Sequence, residues 1–136
     1  FFFFFHDNDG RQFESPIYKM TRKSEHKKTL EDIEQENAEY AKKCLDKNIW
    51  FSFAGNLTYR NARNLHETVL NIPVERILIE TESPFMIPAE FRERKRTMPA
   101  YLPSTAKFLS EMLDMDLEAL SEQLWTNSCK GFNIPE

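Results

Sequence analysis

The stretch Arg76-Ile-Leu-Ile-Glu-Thr-Glu-Ser-Pro-Phe-Met-Ile-Pro88 decides the fold that the sequence predicts. Its short apolar run, Ile77 to Ile79, ends at two acids, Glu80 and Glu82, and Ser83-Pro84 follows. A short apolar run that is bounded by turn residues is typical of a strand buried on both faces of a parallel sheet. Because residues two apart in a strand project to the same side, we expect the two glutamates to share a face.

Acids at the carboxyl end of such a strand lie where α/β barrels and open α/β sheets place their active sites. A second interpretation stays open on these residues alone. Both glutamates could be solvated loop residues, since Glu is rarely buried without a partner. The remaining sequence is needed to choose between these interpretations.

The composition is that of one globular domain. The chain has 136 residues, 40% of them hydrophobic and 29% charged, which is enough for a core. Its net charge of −4 gives no general attraction to a polyanion, so a nucleic acid would need a local basic patch or a bound metal. Cys44 and Cys129 lack metal-ligand spacing, and we expect them to be reduced and buried, as in a cytoplasmic protein. No apolar run reaches the ~18 residues of a membrane span, so no membrane partner is expected.

The segment before the glutamates predicts a strand–helix–strand unit. A helix starting near residue 37 precedes the strand Ile49 to Phe53, which is rich in residues that suit a sheet. The helix between the two strands would begin after a cap at Asn56 or Thr58. Connections of this length make the two strands parallel and the crossover right-handed.

A proline-rich loop, Ser83 to Pro103, follows the second strand. It contains a basic run, Arg92, Arg94, Lys95 and Arg96. Two amphipathic helices are predicted after the loop. Ser104 is expected to cap the first helix, and Gly131 to end the second.

The sequence divides into a poorly patterned first segment, residues 1–36, and a well patterned second segment, residues 37–136. Phe1 to Phe5 is either a buried strand, since aromatic residues favour strands, or translated non-coding sequence. Residues 11–36 are polar and charged, so an exposed helix or disorder is expected there.

Several motifs resemble one known family. The stretches Trp50-Phe-Ser-Phe-Ala-Gly-Asn-Leu-Thr-Tyr-Arg-Asn-Ala62 and Ile72-Pro-Val-Glu-Arg-Ile-Leu-Ile-Glu-Thr-Glu-Ser-Pro84 resemble the C-terminal part of TatD-like metal-dependent deoxyribonucleases. The closing stretches Pro99-Ala-Tyr-Leu-Pro103 and Asn127-Ser-Cys-Lys-Gly-Phe132 are similar to the same family, so the resemblance covers about residues 37–134. It implies an α/β fold, part of a TIM-type (β/α)₈ barrel. A whole barrel takes roughly 250 residues, so this chain would be a fragment with about the last strands and helices.

The resemblance also implies a reaction and a site. The family hydrolyses phosphodiester bonds in DNA with a divalent metal, for which Mg²⁺ is the expected ion and Mn²⁺ or Zn²⁺ are alternatives. Glu82 falls on the family's catalytic, metal-binding aspartate, and Glu80, in the same motif, is a second candidate ligand. His6 is a third candidate, although the residues beside it also suit a simple turn. Such a metal would lower the pKa of bound water and neutralise the phosphate charge.

Departures from the family pattern predict an incomplete metal site. Glu82 is one methylene longer than the family's aspartate. The family's early His-x-His strand, a later glutamate and a later strand histidine have no counterparts in this sequence. An alternative function is therefore a catalytically inactive barrel remnant that binds nucleic acid or protein. Hydrolysis of a small ester or amide by a related barrel is a third possibility.

The loop with the basic run would lie over the active face of a barrel. Arg92, Arg94, Lys95 and Arg96 are therefore predicted to contact DNA phosphates, and a merely solvated loop is the alternative. Part of a parallel barrel would also leave a strand edge and an apolar face uncovered, which favours self-association of the fragment.

Overall fold

The computed structural model describes residues 4–6, 12–14, 39–47 and 49–135. In these ranges four strands form one sheet in the order β2-β1-β3-β4, with β1 at Phe4–His6, β2 at Gln12–Glu14, β3 at Trp50–Phe53 and β4 at Ile77–Ile79. The helices are α1 over residues 39–46, α2 at Arg63–Leu70, α3 at Leu102–Met112 and α4 at Leu117–Phe132. Within these ranges no helix has the length and apolar character needed to cross a membrane.

The predicted strand–helix–strand unit is confirmed. β3 and β4 are parallel neighbours, with Phe51 opposite Ile77 and Phe53 opposite Ile79, and α2 connects them. β4 starts after Pro73 and a single 3-10 turn, which together end the crossover. The parallel pairing brings the carboxyl ends of both strands to the same edge of the sheet.

One face of the β3–β4 pair packs against helices and forms the core. The core consists of apolar side chains that are almost completely buried. It includes Phe51, Phe53, Ile77, Leu65, Val69, Leu109, Leu120 and Leu124. Full burial of one such side chain is worth about 1.5–3 kcal/mol, so this layer dominates the stability of the unit. Cys44 and Cys129 are buried and unpaired, as expected.

The strands near the N-terminus differ from the prediction. An exposed helix or disorder over residues 11–36 is wrong at Gln12–Glu14, which pairs antiparallel with β1. The three-residue alternation Gln12-Phe13-Glu14 is too short to stand out as a strand period. Phe1 to Phe5 was interpreted either as a buried strand or as translated non-coding sequence, and the strand at Phe4–His6 supports the first interpretation. The remaining residues of the first segment lie outside the described ranges, and the boundary at residue 36 stays a prediction.

The predicted cap of the crossover helix is wrong. Asn56 and Thr58 lie in a 3-10 turn, Gly55–Thr58, and α2 begins only at Arg63 without a side-chain cap. The hydroxyl of Thr58 instead donates to the carbonyl oxygen of Gly55, at 2.7 Å. The chain thus inserts an extra turn between β3 and its helix.

The other two predicted helix boundaries are also shifted. α3 begins at Leu102, two residues before Ser104, because a proline in the first turn loses no helical hydrogen bond. α4 continues through Gly131 and ends at Asn133, which adopts the left-handed conformation that terminates helices.

An apolar groove of about 350 Å³ lies between β4, α3 and α4. Its lining includes Ile79, Ala106 and Leu124, and Trp125 stands on it with 65% of its surface exposed. Among the described strands β4 pairs with β3 alone, so an open strand edge adjoins the groove. Self-association through this face stays a prediction.

Candidate active site

Glu80 is fixed at the point where β4 ends. Its backbone N–H donates to the carbonyl oxygen of Phe53 at 2.9 Å, which extends the β3–β4 ladder by one residue. The chain then leaves the sheet, and a turn at Glu82 begins in which the N–H of Phe85 donates to the carbonyl oxygen of Glu82. Both predicted acids therefore lie at the carboxyl end of β4.

The side chain of Glu80 lies on the sheet face opposite that of Phe51 and Phe53. Phe51 and Phe53 belong to the helical core, so the residue between them, Ser52, projects to the other side. The hydroxyl of Ser52 donates to Oε2 of Glu80 at 2.6 Å. A hydroxyl–carboxylate hydrogen bond of this length is charge-assisted and among the stronger kinds in proteins. It ties Glu80 to the neighbouring strand.

Glu82 lies close enough to Glu80 to respond to its charge. Burial and, secondly, the negative charge of Glu80 raise the pKa of the Glu82 carboxyl group. The side chain is partly buried and receives no hydrogen bond from the residues that the structure describes. The structure thus brings the charges of Glu80 and Glu82 within reach of each other. Ser52 anchors Glu80, whereas among the described residues no hydrogen bond anchors the side chain of Glu82.

The chemistry of these two side chains fits a hard divalent cation. Carboxylate oxygens are the ligands that Mg²⁺ and similar ions prefer. A positive ion between two neighbouring carboxylates would remove the repulsion that now raises the pKa of Glu82. Two ligands are fewer than a closed site needs, and within the described ranges no group of three or more His, Cys, Asp or Glu side chains could hold a metal. The number of ligands in the complete site stays a prediction.

The backbone of the third candidate ligand, His6, lies beside the other end of β3 from Glu80, and its role as a ligand stays a prediction. β1 runs antiparallel to β3, and His6 pairs with Trp50, the first residue of β3. Glu80 follows β4 beside Phe53, at the other end of β3. At ~3.3 Å per strand residue, three residues separate the two backbone positions by about 10 Å.

Two contacts fix the loop after β4 against the loop after β3. The carbonyl oxygen of Met86 packs directly on Gly55, where any side chain would collide with it. The backbone N–H of Ala89 donates to the hydroxyl oxygen of Thr58 at 2.7 Å. Since Thr58 also donates to Gly55, its hydroxyl group bridges the two loops. The position of the Glu82 loop therefore depends on residues that follow the other strand.

The basic run extends from this anchored loop. The guanidinium of Arg92 stacks over the ring of Tyr59, 4.7 Å from its centroid. Arg94, Lys95 and Arg96 are exposed and make no ion pair with the described residues. Directly after them, the N–H of Thr97 donates to the carbonyl oxygen of Pro84 at 3.0 Å, which returns the chain to within two residues of Glu82. The loop that carries these exposed cationic groups is therefore closed at its base close to Glu82 in the chain.

Ser52, Gly55 and Thr58 are site residues that the sequence analysis did not single out. The signal for Ser52 was present, because it is a polar residue between two core phenylalanines. Gly55 and Thr58 could not be recognised, since their partners are thirty residues away in the chain. His66 has a structural role, because its Nε2 lies 2.7 Å from the carbonyl oxygen of Leu57 and donates to it.

Comparison with known proteins shows the family of this chain. The family model described as TatD related DNase matches residues 3–133. A Bacillus subtilis protein named uncharacterized metal-dependent hydrolase YabD is 37% identical over 98 residues, which are 72% of this chain and 38% of the relative. The Escherichia coli K12 protein named uncharacterized metal-dependent hydrolase YcfH is 32% identical over 99 residues, 73% of this chain and 37% of the relative.

A solved structure supports the fold. The crystal structure of YJJV, a TatD homologue from Escherichia coli K12, superposes with a TM-score of 0.65 at 20% identity, over 72% of this chain and 38% of the other. The expected fold class, part of a TIM-type barrel, is thereby confirmed. The chain spans a little over a third of the length of the curated relatives that it matches. The match of the family model over nearly the whole sequence shows that this chain belongs to the TatD-related DNase family.

Proposed function

We propose that this chain contributes the closing part of a metal-dependent hydrolase that cleaves phosphodiester bonds in DNA. The observation that carries the proposal is the position of Glu80 and Glu82 at the carboxyl end of one parallel strand pair, with the exposed cationic run Arg94, Lys95 and Arg96 in the loop that follows. The curated relatives named as metal-dependent hydrolases support the class of reaction. The name of the family supports DNA as the substrate.

Glu82 and Glu80 would hold the divalent cation in this proposal. When bound, the cation supplies a water molecule of lowered pKa and neutralises charge on the phosphate. Ser52 donates a hydrogen bond to Oε2 of Glu80 and so fixes the carboxylate at the end of β4, which suits a ligand to a positive ion. Arg94, Lys95 and Arg96 would bind the phosphate backbone without reading the bases, since cationic side chains on phosphates carry no sequence information directly.

A second function, a catalytically inactive remnant that binds nucleic acid, is favoured by one observation. The described residues offer two carboxylates and no larger cluster of ligands. Phosphate binding by the basic run needs neither of them. The two functions therefore separate at Glu82, which matters for the first and not for the second.

A cleavage and binding experiment on the 136-residue chain distinguishes them. Single- and double-stranded DNA are incubated with the protein and Mg²⁺ or Mn²⁺, and with the Glu82→Gln variant at equal concentration. The nuclease proposal expects cleavage that requires the metal and is lost in Glu82→Gln. Gel shifts at low salt without cleavage, unchanged in the variant, would establish the binding module instead. Absence of both cleavage and binding would refute both functions.

A further inference from the structure

The hydroxyl group of Ser52 forms a hydrogen bond between the two parallel strands near their carboxyl ends. It belongs to β3, whereas the acid that it contacts follows β4. Ser52 is 5% exposed and faces away from the helical core. A small polar side chain at a buried strand position costs stability unless its hydroxyl group is used, and here it is used on a carboxylate.

Glu80 is held at two points by the same strand. Its backbone N–H donates to the carbonyl oxygen of Phe53, and its side chain accepts from Ser52. Both the backbone and the side chain of Glu80 are therefore hydrogen-bonded to β3. The hydrogen bond occupies Oε2, and no residue that the structure describes donates to Oε1. Glu82 has no such anchor among the described residues and must rely on its neighbour's position for a shared ligand.

We propose that Ser52 is a positioning residue that orients Glu80 for a divalent cation shared with Glu82. The inference rests on the proposed function, because it assumes that the two carboxylates bind a cation. Hydrogen-bonding partners of metal ligands orient the ligand and restrict its rotamers, and their loss commonly weakens metal affinity by 10- to 100-fold. Ser52 acts in this way without touching the cation itself.

A double-mutant cycle with Mn²⁺ tests this role. Mn²⁺ binding to the full 136-residue chain is measured by the loss of the free-ion electron paramagnetic resonance signal, for wild type, Ser52→Ala, Glu80→Gln and the double variant. Ser52→Ala is expected to weaken binding about tenfold in the wild-type background. In the Glu80→Gln background it should change binding by less than about twofold, because the group that it positions has lost its charge.

Three further variants separate positioning from general stability. Ser52→Thr keeps the hydroxyl group and is expected to retain most of the affinity. Ser52→Cys replaces it with a weak donor of similar shape and should give an intermediate value, which also covers the case in which Ser52→Ala does not fold. Ser110→Ala is the matched control, since Ser110 is also 5% exposed and donates to Lys107, away from the two acids. It should bind Mn²⁺ as wild type does.

The outcomes are distinguishable from those for the proposed function. Failure of the wild-type chain to bind Mn²⁺ would overturn the cation site and this inference together. Binding by wild type that is lost in Glu82→Gln but unchanged in Ser52→Ala and Ser52→Cys would overturn the role of Ser52 alone. An equal loss from Ser52→Ala in both backgrounds would also overturn it, because the serine would then act without Glu80.

Discussion

The side-chain amide of Asn127 donates to the carbonyl oxygen of Ile77 at 2.7 Å, which links α4 to the first residue of β4 across fifty positions of sequence. The same Nδ2 lies 2.7 Å from the carbonyl oxygen of Val74, and the side chain is 1% exposed. The oxygen of the amide accepts from Gln123. Asn127 therefore supplies a donor to the buried carbonyl oxygen of Ile77, and it fixes the start of the strand that leads to the two acids.

Replacing Asn127 by alanine should strongly destabilise the protein. The change leaves the buried carbonyl oxygen of Ile77 without the donor from Asn127, and an unsatisfied group of this kind costs about 1–3 kcal/mol. The carbonyl oxygen of Val74 keeps the backbone N–H of Ile77 as a donor, so we expect a loss of about 1–3 kcal/mol in the free energy of unfolding, measured by urea denaturation. Asn71→Ala is the control, because Asn71 is exposed and its amide donates to Glu67 at the end of α2. A loss for Asn127→Ala no larger than that for Asn71→Ala would contradict this role.

Replacement by alanine should lower the stability of the protein at Gly55 and not at Gly131. A Cβ at Gly55 would collide with the carbonyl oxygen of Met86, so Gly55→Ala must displace the loop after β4. Overpacking of this kind costs about 1–3 kcal/mol. A Cβ at Gly131 would meet the ring of Trp50 at 3.4 Å, an ordinary contact, and alanine is the better helix former by about 1 kcal/mol. Thermal unfolding of both variants checks the difference, and equal effects would argue against the loop contact.

The glycine pair also shows how far the sequence predicts the fold. Local signals are enough for the β3–α2–β4 unit, because Ile77 to Ile79 and the run around Phe51 are short apolar strands with a helical period between them. Two helix starts were predicted at the wrong residues, because Ser104 and Thr58 are residue types that commonly cap helices. In the structure α3 begins before Ser104, with Pro103 in its first turn, and the hydroxyl group of Thr58 accepts from the backbone N–H of Ala89 instead. Contacts between loops thirty residues apart leave no local pattern.

The candidate site was likewise predictable only in part. Glu80 and Glu82 could be placed at a strand end because strand alternation is a local property. The support from Ser52 needs the β3–β4 register, which a sequence does not specify residue by residue. β1 runs antiparallel to β3, which separates the backbone of His6 from the acids. A strand of three residues carries too little pattern for this pairing to be predicted from the sequence.

The stability of the protein should depend on the charge of Glu82. Burial and then the charge of Glu80 raise the pKa of this carboxyl group in the folded state. Its contribution to stability is therefore complete below the unfolded pKa of about 4.3 and is lost as the pH rises through the raised folded value. Glu82→Gln, which cannot ionise, should be more stable than wild type at pH 7, and this advantage should disappear below about pH 4.

Urea denaturation at pH 7 and pH 4 without divalent ions measures this difference. Glu111→Gln, on the exposed surface of α3, is the control for the loss of one negative charge. Equal stability of wild type and Glu82→Gln at pH 7 would contradict the raised pKa of Glu82.

Removal of the free cationic run should weaken binding to DNA. The triple variant Arg94→Ala, Lys95→Ala, Arg96→Ala removes up to three phosphate contacts, and each contact contributes about 0.7–0.9 to the slope of log K against log salt. We expect weaker binding to DNA of any sequence, and a slope smaller by about 2–3. The matched control replaces three other exposed lysines by alanine. These are Lys42 and Lys43 in α1 and Lys47 directly after it. Similar losses in both triple variants would mean that only net charge matters.

The most direct test of the central claim is a Mn²⁺ titration of the 136-residue chain beside its Glu82→Gln and Glu111→Gln variants. If Glu80 and Glu82 bind a divalent cation, wild type and Glu111→Gln will take up one Mn²⁺ ion with the same affinity. Glu82→Gln will then bind at least about tenfold more weakly, as expected when a charged ligand is lost at a site with few ligands. Equal binding by all three proteins, or binding by none, would contradict the claim that these two acids form a cation site.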